Sequence, residues 1–523
     1  MKLKPYLVFA LVAVSAPAFS QLPEDAIRTS WYAPFGTARQ QAIGGAMGSL
    51  GGEISSIYVN PAGLGLYKTS EIVLTPGLSL LGSKGSFRGT DAKADRDLRF
   101  NLGTTGFVIG MGDPYSRWSS KSFALTVNRI ANFSNNYFYK GLNDYSSYSE
   151  PLANEFFDIY SYRKDHQPYL TDAQIIDEAL NDPQVSLLTK MGLYTYLIDI
   201  DSSSGSKQII SRAEQAGITE QMNQIETRGG ITELALGFAF NMDDKIYMGF
   251  SLGVPILNYE RTATYTESDA SGDVNNDFRY FSVKEHYTQK GAGFNAKLGI
   301  IFKPAEQLRI GIAIHSPTLY GFKEQTSLKM ITDAENFGID SIESKIFNGG
   351  SDPEFRYNMT SPFRFLVSGS YVIREVSDVT KQRGFITADI EYVTHGSSRF
   401  RSSDDYSSND EYFSNVNSAI KVAYKGAFNF RLGGELKFNT IMGRLGFAYY
   451  GKPYDDKELK AHKMTVSGGL GYRNGGIFLD LTYVHNLNKD VHFPYRLDPP
   501  RANTFANLKE GSGNVVLSVG FKL

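Results

Sequence analysis

The chain ends on a strict alternation. Val515, Leu517, Val519, Phe521 and Leu523 interleave with Val516, Ser518, Gly520 and Lys522. Successive side chains of a strand point to opposite faces, so this pattern predicts one apolar face and one small or polar face. The same period recurs upstream. Ile246, Met248, Phe250, Leu252, Val254 and Ile256 alternate with Tyr247, Gly249, Ser251 and Gly253. Phe428, Phe430, Leu432, Leu436 and Phe438 alternate with Asn429, Arg431, Gly433, Glu435 and Lys437. Segments 234–240, 292–302, 308–314, 464–473 and 477–483 follow the rule cleanly. Segments 72–81, 98–111, 122–130, 363–373, 385–393 and 445–449 follow it more loosely, which brings the count to about 14.

The links between these segments alternate in length. Tight turns rich in Asn, Asp, Gly or Pro occupy 241–245, 303–308, 439–443 and 474–476. Long polar links occupy 83–97, 268–277, 333–354, 396–425, 451–463 and 486–514. A soluble sandwich has no reason to segregate loop lengths, whereas an outer-membrane barrel has short periplasmic turns and longer outward loops. The pattern therefore predicts an all-β membrane protein, a 14-stranded antiparallel transmembrane β-barrel in the bacterial outer membrane. Its outer face would meet the membrane lipids. Its C-terminal apolar strand is of the kind that barrel-assembly machinery reads. An even number of strands places both termini in the periplasm.

The start of the chain agrees. Lys2 and Lys4 precede an apolar run from Tyr6 to Ala16, and Ala18-Phe19-Ser20 has small residues at the positions a signal peptidase reads. Residues 1–20 read as a signal peptide, with the mature chain beginning near Gln21 and no Cys following the cut. The 523 residues contain no Cys, 51 Gly, 32 Tyr and 35 Phe, with mean hydropathy -0.27. After the signal no stretch approaches the roughly 20 apolar residues of a membrane helix. A formal net charge of -2 gives no reason to expect nucleic acid as a partner.

Two regions fall outside the barrel pattern. The first, 21–70, runs Ala38-Arg39-Gln40-Gln41-Ala42-Ile43-Gly44-Gly45-Ala46 and continues to Asn60-Pro61-Ala62-Gly63-Leu64. Its glycines permit close backbone packing and Asn60-Pro61 fixes a turn. It is expected inside the lumen as a hatch, ahead of a barrel spanning 71–523. The second, 133–229, is a large extracellular loop. Thr171 is placed to cap a helix running to Leu180, and a second helix is expected over 185–198. Ile175, Leu187, Leu188, Leu193 and Leu197 point to a packed cap over the barrel mouth; a surface excursion with no ligand role is the other reading. The acidic, Ser-rich run 401–412 reads as a solvated outward loop.

The hatch segment, with its motif Asn60, Pro61, Ala62 and Gly63, resembles the N-terminal hatch of FadL-type outer-membrane proteins, the long-chain fatty acid and aromatic hydrocarbon channels. The runs Ser361-Pro362-Phe363-Arg364-Phe365, Arg431-Leu432-Gly433-Gly434-Glu435 and Ser467-Gly468-Gly469-Leu470-Gly471-Tyr472 are similar to strands of that family. The resemblance implies a 14-stranded barrel and passive uptake of a hydrophobic small molecule, fatty acid-like in character. It further implies capture at the outward loops, passage past the hatch and exit through a lateral opening at a kinked strand. The long loop before Gly230 departs from the fatty acid channels. The family also holds surface carriers that assist protein secretion and transport no small molecule, which is the alternative function.

The polar faces place Glu233, Lys297, Arg309, Asp389, Glu391, Arg431, Glu435, Lys437, Arg444, Arg473 and Asp480 toward the lumen. Two readings stand. Either these charges neutralise one another and grip the hatch, or a cation anchors a substrate carboxylate, with Arg431 and Arg309 the candidates because a guanidinium binds carboxylates bidentately. Asn128 and Arg129 mark the candidate wall kink. Arginine in the lipid-facing register costs roughly 2–4 kcal/mol at mid-membrane, so Arg129 lies at the rim or the strand is distorted there. The 7 His are scattered, and no residue cluster marks a metal, a cofactor or a catalytic centre. The protein is not expected to be an enzyme.

Overall fold

The computed structural model describes residues 23–202, 207–373, 383–403 and 410–523; the signal-peptide reading of 1–20 lies outside them. Fourteen antiparallel staves close into a barrel. The first five are Glu71–Leu74 with Pro76–Leu81, Asp97–Leu102 with Thr105–Gly112, Trp118–Asn132 with Asn135–Asn143, Thr219–Met242, and Ile246–Asp269. The next four are Tyr280–Ala305, Leu308–His315 with Leu319–Asp333, Glu354–Thr360 with Arg364–Ile373, and Gly384–Val393 with Arg399–Ser402. The last five are Ala427–Phe438, Ile441–Tyr450, Lys463–Asn474, Ile477–Asn486 and Gly513–Lys522. The fourteenth stave pairs with the thirteenth and with the first, Ile72 opposite Phe521 and Gly77 opposite Val516, so no edge is left open.

Alternation decides which side chain faces where. Ile310, Ile312 and Ile314 of the seventh stave, Phe428, Phe430 and Leu432 of the tenth, and Leu479 and Leu481 of the thirteenth are exposed on the outside. Their neighbours Arg309, Arg431 and Asp480 are buried inside. A continuous exposed apolar band of this extent fits lipid rather than water. At the tight-turn end, left-handed backbone falls on Asp243, Asp244, Asn439, Gly475 and Gly476, residue types that tolerate it.

At the other end the barrel rises far beyond the apolar band. The fourth, fifth and sixth staves have 24, 24 and 26 residues. At about 3.4 Å per residue that is about 80 Å of strand, against a band about 25 Å tall. The flanks of 133–229 belong to this rise, because Asn135–Asn143 pairs with Thr219–Thr227. The excursion proper is therefore 144–218, shorter than the sequence indicates. It holds helices Glu150–His166, Asp172–Asn181, Leu187–Tyr194 and Arg212–Gln215 and a hairpin of Ile198–Asp201 with Gln208–Ser211. Thr171 caps the second helix with a full capping box to Gln174. Phe156, Ile175, Ala179, Val185, Leu193 and Ile198 form its own core. Met191, Leu197 and Ala213 pack onto Tyr265, Phe281 and Met330 of the tall staves. A helix over Asp410–Ala423 begins within the run read as a solvated loop, and it buries Phe413, Val416 and Ile420; residues 404–409 of that run lie outside the described residues.

Candidate functional site

The N-terminal segment packs against inward-facing side chains around the barrel. Its helices are Pro23–Arg28, Ala38–Ala42 and Ser56–Val59, followed by a 3₁₀ turn over Pro61–Leu66. The Ala38 N–H donates to Ser518 on the fourteenth stave (2.8 Å), and the Met47 and Gly48 N–H groups to Asp389 on the ninth (3.1 and 3.2 Å). Arg364 of the eighth stave donates to the Ser30 carbonyl (2.7 Å), Ser251 of the fifth to Ile57 (3.1 Å) and Asn128 of the third to Phe35 (3.0 Å). Gly44 adopts left-handed backbone directly against the eleventh stave; a Cβ on Gly446 would come within 2.0 Å of its nitrogen.

Asn60 holds the turn. Its Oδ1 accepts the Ala62 N–H (3.1 Å), and its Nδ2 donates to the Gly48 carbonyl (2.6 Å) and to Ile300 of the sixth stave (3.3 Å). Pro61 follows as the first residue of the 3₁₀ turn, where its missing N–H costs nothing. Asn60→Ala strips a partner from the buried Ala62 N–H and from the buried Gly48 carbonyl, each costing about 1–3 kcal/mol. The expected outcome is a loosened segment and raised single-channel conductance in planar bilayers; wild-type conductance would remove Asn60 from that role.

The lumenal charges pair with one another and with the N-terminal segment. Lys297 bonds Glu233. Arg431 reaches Glu391 (2.7 Å) and Asp389 (3.7 Å), and Arg309 donates to the Leu50 carbonyl (2.6 Å). Arg444 bonds Glu435 (2.5 Å) and Asp480 (2.6 Å), and Arg39 of the N-terminal segment shares Glu435 at 3.3 Å. The two candidate carboxylate anchors thus already have protein partners. Arg431 also borders a cavity of about 70 Å³ beside Tyr58, His315 and Arg364.

Two larger cavities lie above and beside the segment. The upper one, about 340 Å³, sits between Leu187 and Leu188 of the excursion and the tall staves, and is lined mainly by apolar groups including Tyr265, Val283, Leu328 and Phe493. The inner one, about 290 Å³, lies between Arg28, Tyr32 and Gln41 of the N-terminal segment and the walls of the first, third and twelfth to fourteenth staves. An Arg–Tyr layer divides them. The Arg28 guanidinium lies 3.8 Å over the Tyr259 ring and bonds Gln289 (2.9 Å) and Asp25 (2.5 Å), while Arg261, which borders the upper cavity, stands 5.4 Å from the Tyr287 ring.

His492 borders the upper cavity. Asn223 donates to the Tyr139 hydroxyl (3.0 Å), leaving the tyrosine proton for His492 Nδ1 at 2.9 Å. Burial, with Arg261 and Arg496 nearby, holds this imidazole down at about 3. Its folded value lies below its free value of about 6.5. The stability it contributes is therefore complete above pH 6.5 and is lost as pH falls toward 3. Protection factors across 488–510, taken against the intrinsic exchange rate at each pH, should fall between pH 7 and pH 5, and His492→Asn, whose amide oxygen still accepts the tyrosine proton, should remove that fall. Equal pH dependence in both proteins would refute it.

The wall is broken beside the inner cavity. The ladder between the second and third staves runs from Gly112 opposite Ser120 to Thr105 opposite Val127 and stops. Above it, Asp97–Leu102 stays paired with the first stave, and among the described residues no ladder joins it to the third. The third stave meanwhile follows the fourth, with a bulge at Ile130: Arg129 faces Thr232, and Ala131 faces Ile231. Overhead, Ser83 bonds the Asn136 carbonyl and Phe87 packs on Tyr139. The result is a roofed window between staves, with Asn132 and Phe133 of its edge lining the inner cavity. Asn128 points inward below the bulge, and Arg129 is half-buried on the outward register beside it. Sequence reasoning marked this pair but missed Arg28, Tyr259, Arg99 and Asn101, which carry no local pattern of their own.

No family model and no curated protein sequence matches the chain. Solved structures do. A FadL homologue from Pseudomonas aeruginosa aligns over 94% of this chain and 99% of its own, with TM-score 0.53 and 13% identity. The toluene transporter TodX of P. putida aligns over the same shares, with TM-score 0.51 and 13% identity. The chain is built on the fold of the FadL-type outer-membrane channels.

Proposed function

We propose that the protein is an outer-membrane channel for passive uptake of hydrophobic small molecules. One observation carries this reading: an internal cavity opens beside a gap in the barrel wall, beneath a second, apolar cavity under the cap. In this reading, the molecule is captured among the apolar side chains beneath 144–218. It passes the Arg28–Tyr259 layer, enters the inner cavity and leaves through the window into the bilayer. The N-terminal segment acts as the hatch that closes the straight route through the lumen. The fold supports the reading, since the solved structures it resembles include a toluene transporter. The tight turns and both termini then face the periplasm, and the cap faces outward.

The test is uptake of a fluorescent long-chain fatty acid into proteoliposomes, compared with protein-free vesicles. Saturable, energy-independent entry above the vesicle background is expected. Entry equal to background for this probe, for toluene and for an uncharged amphiphile such as 1-monolauroylglycerol would overturn the channel reading.

A further inference from the structure

The two cavities differ in chemistry. The upper one is walled mostly by hydrocarbon, as a capture site for an apolar tail requires. The inner one is not. Gln41, Asn132, Asn135, Asn486, Asn514 and Thr465 present amides and a hydroxyl to it. Its charged groups are two cations and two anions, Arg28 and Lys463 against Asp490 and Glu510. Each has a partner in the fold. Arg28 bonds Asp25 and Gln289, and Lys463 donates to the Trp31 carbonyl (2.8 Å). Asp490 accepts from Tyr454 (3.1 Å), and Glu510 from Asn488 (2.9 Å) and Ser512 (2.8 Å). Among the described residues the two cations are thus matched by two anions, and the cavity carries no net positive charge to neutralise a carboxylate.

The window repeats the pattern. Five buried polar atoms on the two staves that flank it have no hydrogen-bond partner among the described residues: Arg99 Nε and Asn101 Oδ1 on the second stave, and Asn128 Oδ1, Arg129 Nε and Asn136 Oδ1 on the third. Asn101 and Asn128 are 4% and 1% exposed. Buried polar atoms in native proteins are nearly always satisfied, so five orphans on these two staves call for an explanation. Two donors and three acceptors together suit groups that both donate and accept, as hydroxyls and amides do. A bare hydrocarbon would leave every one of them unpaired.

We propose that the cargo is a neutral amphiphile: an apolar chain bearing an uncharged head with hydroxyl or amide groups. The head would be read by the inner cavity and the window edges, and the tail by the upper cavity. This rests on the channel reading and narrows it, away from fatty acid anions and plain hydrocarbons.

Three probes decide it on the full-length protein in lipid nanodiscs: 1-monolauroylglycerol, laurate at pH 8, and decane. Binding of tritiated monolauroylglycerol is measured directly, with the other two as competitors. Monolauroylglycerol should bind saturably and at least ten-fold more tightly than either. Asn132→Leu, which replaces an amide lining the inner cavity, should narrow that preference over decane by about ten-fold. If laurate or decane competes as well as unlabelled monolauroylglycerol, the head-group proposal fails while the channel reading stands. If none of the three binds and proteoliposome entry equals background, both fail. The wild-type comparison decides the matter even where the variant does not fold.

Discussion

Arg444→Leu is expected to destabilise the barrel by about 3–5 kcal/mol. The Arg444 side chain is wholly buried and holds two carboxylates, Glu435 on the tenth stave at 2.5 Å and Asp480 on the thirteenth at 2.6 Å. It thereby ties together staves that are not neighbours. Leucine supplies some of the lost packing and none of the charge. Glu435 retains Arg39 at 3.3 Å, whereas Asp480 loses the only salt-bridge partner found for it among the described residues. Removing one member of a buried ion pair leaves the other desolvated, a greater loss than the pair's net worth. The urea midpoint of the purified barrel, followed by gel mobility, should fall accordingly. Adding Glu435→Gln and Asp480→Asn should restore much of the loss by removing the orphaned charges. A single variant with an unchanged midpoint would show that water reaches these carboxylates.

The effect extends beyond the wall. Arg39 belongs to the N-terminal segment, and its hold on Glu435 is one of several polar ties that fix the segment to the wall. The lumenal charges were legible from alternation alone, because a polar residue between apolar neighbours on a barrel strand must face inward. Their partners were not, since pairing across staves depends on shear that no local pattern records. Arg431 illustrates this. Its inward register was readable, and so was the suitability of its guanidinium for a carboxylate; the carboxylates at hand are Glu391 and Asp389 of the ninth stave.

Legibility also depended on height. In the lower staves one face meets lipid and the pattern is strict, as at 245–256 and 428–438. Above the apolar band, strand residues have protein or water on both faces. Thr262 and Thr264 stand there beside the buried aromatics Tyr259 and Tyr265, and the signal fades although the ladder continues unbroken to Thr219 opposite Asp269. That is why 133–229 read as one loop. The helix over Glu150–His166 escaped notice for a related reason: it buries only Glu150, Leu152, Ala153 and Phe156, and so carries a weak apolar stripe. The window left a trace. Along the third stave the inward positions are even-numbered through Asn128 and Ile130, and then Ala131 is buried too, so the alternation slips by one at the bulge.

That slip allows a clean test of the exit route. Deleting Ile130 would leave Arg129 opposite Thr232 and Ala131 opposite Ile231 as consecutive pairs in a regular ladder. Unlike most single deletions in a strand, it would not turn the downstream residues over, because the bulge already absorbs the extra position. Asn135–Asn143 would keep its register with Thr219–Thr227, and the roof over the window would keep its contacts with Tyr139. What changes is the course of the third stave. Without the bulge its added bend is lost, and residues 128–132 can extend the ladder with the second stave that now stops at Thr105 opposite Val127. The expected outcome is uptake of a hydrophobic probe into proteoliposomes reduced at least ten-fold, with the folded gel mobility of the barrel retained. Binding to the upper cavity should survive, since none of its lining residues lies near the bulge in the chain. Uptake at the wild-type rate through a folded deletion variant would mean that the cargo leaves through the lumen, past the N-terminal segment, and not through the wall.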